Sequence, residues 1–189
     1  MEKIIDETIR GVINDSAIIL ETESAKSRDP KFDINKCNGQ NWSLLMYAVW
    51  WNRKNLVMYL LSVPGINIYH RDDYGNTALH YCYQVSILEL FFSRSDFDVN
   101  IQNGIGQTGL RRLCDRGRHK EGVREYLLDA RADVLIRDED GETVLDYALR
   151  KGYLGTTKII NNSLYTTLLR IPNNLLLHDI VRMIIEEYV

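Results

Sequence analysis

The sequence predicts an all-α protein built as a solenoid of stacked helix-turn-helix units. Three observations predict it. First, four segments resemble one another: Asn41–Ala48 (NWSLLMYA), Gly75–Cys82 (GNTALHYC), Gly106–Leu113 (GQTGLRRL) and Gly141–Ala148 (GETVLDYA). Their anchors Ser43, Thr77, Thr108 and Thr143 are 34, 31 and 35 residues apart. Second, another signal ends eight residues before each anchor: Asp33-Ile34-Asn35, Asn67-Ile68-Tyr69, Asp98-Val99-Asn100 and Asp133-Val134-Leu135. Third, apolar residues follow the anchors at helical spacing, as in Leu56, Val57, Leu60, Leu61 and again in Val123, Tyr126, Leu127, Leu128.

Each element has a physical reason. Gly75, Gly106 and Gly141 permit the positive φ of a tight turn. The Ser or Thr two residues later can cap the first amides of a helix. Leu45, Leu79, Leu110 and Leu145 then point into the stack. One unit has too little apolar surface to fold alone, so units must stack.

These segments resemble the ankyrin-repeat family, whose pattern is a D-[VI]-N turn, a D-x-x-G-x-T-P-L-H-x-A start to the first helix, a G-H turn and a Leu- and Val-rich second helix. Gly75–Tyr81 matches most closely and Gly141–Ala148 nearly as well; the resemblance covers about residues 33–160. It implies an ankyrin-repeat solenoid with β-turn fingers, and repeats at 33–66, 67–97, 98–132 and 133–162. The departures predict local irregularity. Asn41 stands where the first turn has Gly, and Asn tolerates the left-handed region. The second repeat lacks its Gly-His turn and is three residues short. The third has Gly109-Leu110-Arg111-Arg112 for Pro-Leu-His-x and an insertion near Lys120-Glu121-Gly122.

The ends are atypical. Residues 1–32 read as a degenerate capping repeat, with Ile4, Ile5, Ile9, Val12 and Ile13 on one stripe, and 163–189 as C-terminal capping helices. Ile171-Pro172-x-x-Leu175, followed by Ile180 and Ile184, also resembles the start of an F-box. Poxvirus ankyrin proteins end in such a segment, which implies recruitment of the Skp-type adaptor of a ubiquitin ligase.

Bulk properties bound the function. The 189 residues are 45% hydrophobic and 26% charged, with net charge −3, so no dominant basic balance points to nucleic acid. The start carries acidic residues by Glu7 and no apolar run approaches a membrane span, so neither a signal peptide nor membrane insertion is expected. Three widely spaced cysteines, Cys37, Cys82 and Cys114, argue for free thiols in a reducing compartment, hence a cytoplasmic or nuclear protein. The four histidines lack metal-ligand spacing, and no nucleophile elbow, P-loop or dinucleotide motif occurs. No enzyme, cofactor or metal is expected. His80 holds the family's structural His position, Cys82 and Cys114 read as core thiols, and Cys37 as the most exposed of the three.

The family binds protein partners through finger tips and the inner face of the first helices, and register carries those positions onto Trp42, Tyr47, Trp50 and Trp51 in the first repeat. In the second they are Arg71, Asp73, Tyr74, Asn76 and Tyr81, in the third Ile105, Gln107 and Arg112, and in the fourth Arg137, Glu139 and Asp140. Trp42, at a variable tip position, is expected to be the most exposed tryptophan, while Trp50 or Trp51 serves either the core or the partner. Arg111–Arg124 holds six Lys or Arg against Asp115 and Glu121, either a solvated face or a patch for an acidic partner. The resulting expectation is a monomer that binds and masks or scaffolds another protein. The alternative is a ligase adaptor acting through the tail, and a viral host-interaction role is a further expectation.

Overall fold

A computed structural model of the chain describes residues 33–115, 123–124, 126 and 131–169, the side chains of 165–169 excepted. The proposed capping repeat at 1–32, the insertion near Lys120 and the tail beyond residue 169 lie outside the described residues. The described elements are α1 (Leu44–Trp50), α2 (Lys54–Ser62), a single 3-10 turn (Ala78–Tyr81), α3 (Val85–Phe92), α4 (Gly109–Asp115), α5 (Val144–Arg150) and α6 (Leu154–Leu169). First helices stack in series: α1 on the 3-10 turn, that turn on α4, and α4 on α5. Second helices form the outer layer, with α2 against α3, and α6 covers α5.

The anchors start the helices as their chemistry demands. Ser43 Oγ accepts the Met46 amide at 3.3 Å, and Thr108 Oγ1 the Arg111 amide at 3.2 Å. Thr143 forms a reciprocal capping box: its Oγ1 accepts from Asp146 N at 3.1 Å, and the Asp146 carboxylate accepts from Thr143 N at 2.9 Å. In the second repeat His80 takes the reciprocal part, its Nδ1 accepting the Thr77 amide at 3.0 Å.

Helix ends are equally local. Asn52 (φ 53) and Gly152 (φ 67) turn the chain from α1 into α2 and from α5 into α6. Both turns reuse one bond pattern, Arg53 N to Ala48 O at 2.8 Å and Tyr153 N to Ala148 O at 2.9 Å. The second repeat has no such turn. Its first helix shrinks to one 3-10 turn, and Gln84 opens α3 directly. The predicted irregularity of this repeat is thus a shortened first helix.

The core is a continuous strip between the two helical layers. Leu45, Leu79 and Leu110 are buried as predicted, with Leu56, Leu60, Ile87, Leu88 and Phe91 behind them. Leu145 is only half-buried, because α5 is the last first-helix of the described stack. Helix α6 runs unbroken from Leu154 through Ser163 to Leu169, across the predicted end of the fourth repeat at residue 162.

Candidate functional site

The fingers project from this stack and are built by one repeated device. An Asn or Asp at 38, 72 and 103 accepts amides two and four residues on: Asp72 Oδ1 from Tyr74 N and Asn76 N (2.9 and 2.8 Å), Asn103 Oδ1 from Ile105 N and Gln107 N (3.1 and 2.9 Å), while Asp138 Oδ1 accepts the amide four residues on, Glu142 N, at 3.0 Å. Asn38 binds Gln40 N and Trp42 N in the same way. The register puts Gln40, Tyr74, Ile105 and Asp140 at successive tips. Neighbouring fingers touch through backbone, Gly104 N to Tyr74 O at 3.0 Å and Glu139 N to Ile105 O at 3.1 Å.

Between the second and third fingers lies a groove of about 570 Å³. Asp73, Tyr74 and Asn76 form one wall, Asn103 and Ile105 the other, and Tyr81 and Arg112 close it from the first helices. Tyr74 is 76% exposed and Ile105 50%, so two large apolar side chains stand on the rim. A second cleft of about 280 Å³ lies on the other side of Tyr74, lined by Gln40, Trp42, Asp73, Tyr74 and Tyr81.

The groove floor is fixed by polar bonds. Buried Asp72 accepts from the Tyr81 hydroxyl and from Asn76 Nδ2, and Asn103 Nδ2 donates to Asn76 Oδ1 at 2.8 Å. Burial and the Asp72 carboxylate push the Tyr81 phenol well above its ordinary range, so it stays protonated. His80 Nε2 lies 3.0 Å from Gln107 O, spanning two repeats. Burial holds its pKa down at about 4, against the pull of that carbonyl.

Several residues assigned by register occupy other roles. Asn76, Tyr81 and Tyr47 are buried and serve the floor or the core; Tyr47 takes a bond from Asn38 Nδ2 at 2.8 Å. Trp42 is not the exposed tryptophan. It is half-buried in an aromatic cluster, its ring centroid 4.6 Å from Tyr81, 5.0 Å from Tyr47 and 6.0 Å from Trp50. The 49% exposed Trp51, just past α1, is the open one, and Trp50 packs against the core. The cause is the short second repeat, whose 3-10 turn brings Tyr81 onto the indole of Trp42. Arg71 and Arg137 are exposed yet tied: Arg71 donates to Gly75 O (2.8 Å) and Gln102 O (2.7 Å), Arg137 to Gly141 O (2.6 Å). Gln107 gives its backbone to His80 while its side-chain oxygen is buried. Glu139 and Asp140 are exposed at the fourth finger, apart from the groove. Asn103 is a groove residue that register did not select, although its place as the finger's Asx residue marks it.

The basic segment is not a uniform solvated face. Arg111 is buried, its Nε 3.4 Å from the buried Asp138 carboxylate and its guanidinium over the Tyr147 ring. The Tyr147 hydroxyl in turn binds Asp115. Charges on neighbouring repeats therefore pair, and Arg112 alone of the described members faces the groove. Residues Arg116, Arg118 and Lys120 lie outside the described residues, as do the tail positions Ile171, Pro172, Leu175, Ile180 and Ile184. The three cysteines are free thiols. Cys82 and Cys114 are buried, and burial raises the Cys114 pKa to about 12. Cys37 is the most accessible, with His70 Nε2 3.0 Å from its sulfur. Among the described residues no cluster of three metal-ligating side chains occurs, and no helix is long and apolar enough to cross a membrane.

Comparison with known proteins agrees with this architecture. The family model described as Ankyrin repeats (3 copies) matches residues 18–103. Two similar proteins are IkB-like proteins of African swine fever virus. That of strain Badajoz 1971 Vero-adapted is 28% identical over 174 residues, covering 86% of this chain and 71% of its own length. That of isolate Tick/South Africa/Pretoriuskop Pr4/1996 is 28% identical over 141 residues, covering 68% and 58%. Among solved structures, the crystal structure of the ankyrin repeat protein EF0377 superposes with a TM-score of 0.70 at 24% identity, covering 83% of this chain and 78% of that one.

Proposed function

The chain carries ankyrin repeats and has the ankyrin-repeat fold, and from that premise we propose that it is a binding module that masks a surface of a partner protein. Ankyrin repeats generally serve protein–protein interaction rather than catalysis. The observation that carries the reading is the groove between the second and third fingers, where Tyr74 and Ile105 stand open beside a floor already fixed by internal bonds. Large side chains with few rotatable bonds, held ready on a rigid frame, bind with little loss of entropy. Similarity to viral proteins named IkB-like supports a masking role, and a viral protein that engages a host partner. The free thiols support a reducing, intracellular site of action, and the module works as a monomer, leaving its finger face to the partner. No described residue favours the adaptor reading.

Affinity purification from host-cell extract tests the proposal by comparing the wild-type chain with Tyr74→Ala combined with Ile105→Ala. Both side chains are exposed, so the double variant should melt like the wild type and lose its partner. Full recovery of the same partner by the folded double variant would place binding on another surface.

A further inference from the structure

The smaller cleft, between the first and second fingers, differs in chemistry from the main groove. Its walls are three aromatic side chains, Trp42, Tyr74 and Tyr81, and its only charged lining group is Asp73. The Asp73 carboxylate accepts a hydrogen bond from Asn41 Nδ2 at 2.6 Å, but no lysine or arginine pairs with it among the described residues. Asp96, Asp146 and the partly buried Glu142 each have an arginine partner; Asp73, like Glu139 and Asp140 at the fourth finger, has none among the described residues, and what sets it apart is the aromatic wall beside it. A second carboxylate, Asp72, lies behind Tyr81 and is likewise without a cationic partner among the described residues. Arg71, adjacent in sequence, spends its guanidinium on Gly75 O and Gln102 O. The cleft thus combines ring faces, which attract cations through their quadrupoles, with an uncompensated negative charge at the rim. Its Trp42 wall is held in place by the packing against Tyr47, Trp50 and Tyr81, so the seat exists before any ligand arrives.

We propose that the Trp42–Tyr74–Tyr81–Asp73 cleft seats a cationic side chain, a lysine or arginine presented by the partner protein. This rests on the binding-module reading and adds to it the chemistry of one contact. The ammonium or guanidinium sits against the aromatic faces and pairs with Asp73, while the stem of the side chain covers Tyr74. A cation so placed answers charge complementarity that the chain leaves open internally.

The seat is tested without knowing the partner. The full chain is titrated, by NMR on the tryptophan indole N–H signals, with the Nα-acetyl N-methylamides of lysine, Nε-trimethyllysine, arginine and neutral norleucine. The cationic compounds should shift the Trp42 signal saturably and norleucine should not. Trimethyllysine matching lysine assigns the binding to the rings; a preference for lysine or arginine assigns it to hydrogen bonding with Asp73. Asp73→Asn, an exposed substitution that keeps the fold, should weaken binding about fivefold or more. Absence of a saturable shift with every cation, an equal shift with norleucine, or undiminished binding by folded Asp73→Asn overturns the seat. Partner capture that survives Asp73→Asn and disappears in the Tyr74 and Ile105 double variant would overturn this inference while leaving the binding module intact.

Discussion

At the scale of single residues, the repeat is held together by positions where different side chains do one task. Asn35 accepts the Asn67 amide at 2.7 Å and donates to Gly65 O at 2.8 Å. Asn100 does the same for Asp133 N and Arg131 O one junction later. Between them Tyr69 occupies the Asn position, and its hydroxyl accepts Asp98 N at 2.9 Å and donates to Asp96 O at 3.1 Å. A phenol thus performs an amide's double role across a repeat that is three residues short. Tyr69→Phe removes both bonds and keeps the stacking on Phe97, so it should cost about 1 kcal/mol in urea unfolding; no change would mean the hydroxyl is idle. Glycines with one φ differ by neighbour. Gly75 (φ 74) would place a Cβ 2.5 Å from Gly104 N, whereas Gly141 (φ 76) has open space around it. Gly141→Ala should cost about 1–2 kcal/mol for the left-handed backbone alone, and Gly75→Ala clearly more, because the two fingers must also separate; equal melting temperatures would contradict this.

His80 makes stability pH-dependent. Its folded pKa of about 4 lies below the ordinary 6.5, so between those values the unfolded chain takes up a proton that the folded one refuses. Stability from this group is complete above pH 6.5 and falls as pH drops towards 4, by on the order of 3 kcal/mol. Denaturant melts across that window should show the slope, and His80→Gln should flatten it.

At the scale of elements, the contact between α4 and α5 carries a buried ion pair. Arg111 on α4 reaches the buried Asp138 of the fourth finger and lies over Tyr147 of α5. An ion pair this deep adds little net stability over an apolar substitute, but removing one member strands the other. Arg111→Ala should therefore cost about 3–5 kcal/mol, and Arg111→Ala with Asp138→Asn, which keeps the oxygen that accepts Glu142 N, less than the single change. A double-mutant cycle read by urea melts checks this, and a double variant no better than Arg111→Ala would argue that the Tyr147 contact dominates. The second repeat shows the opposite economy: with one 3-10 turn for a helix, it relies on Thr77, His80 and the bond to Gln107 to stay in line.

At the scale of the whole molecule, the stack orders a row of fingers, four of them among the described residues. Leu135 occupies the place of Asn35, Tyr69 and Asn100, but it is 65% exposed and has no side-chain polar atom to clamp a further finger. Helix α6 follows the fourth finger and is 16 residues long. Both clefts lie among the first three fingers, and the proposed binding face centres there.

By itself the sequence determined the period, the helix starts and the finger turns, because each depends on bonds between residues a few positions apart: a hydroxyl and an amide three residues on, a left-handed Gly or Asn, an Asx oxygen and the tip amides. It also marked Tyr74 and Ile105 as tips. Only the tertiary structure decided which register positions stay open. Trp42, Tyr47, Asn76 and Tyr81 share the period of exposed family positions, yet Tyr47, Asn76 and Tyr81 are buried and Trp42 is half-buried against the Tyr81 ring. Arg111 reads as one more charge in a basic run, and its burial against Asp138 and Tyr147 follows from how two repeats meet. Local bonds are written in the residues that make them, whereas exposure depends on what a neighbouring repeat places over each side chain.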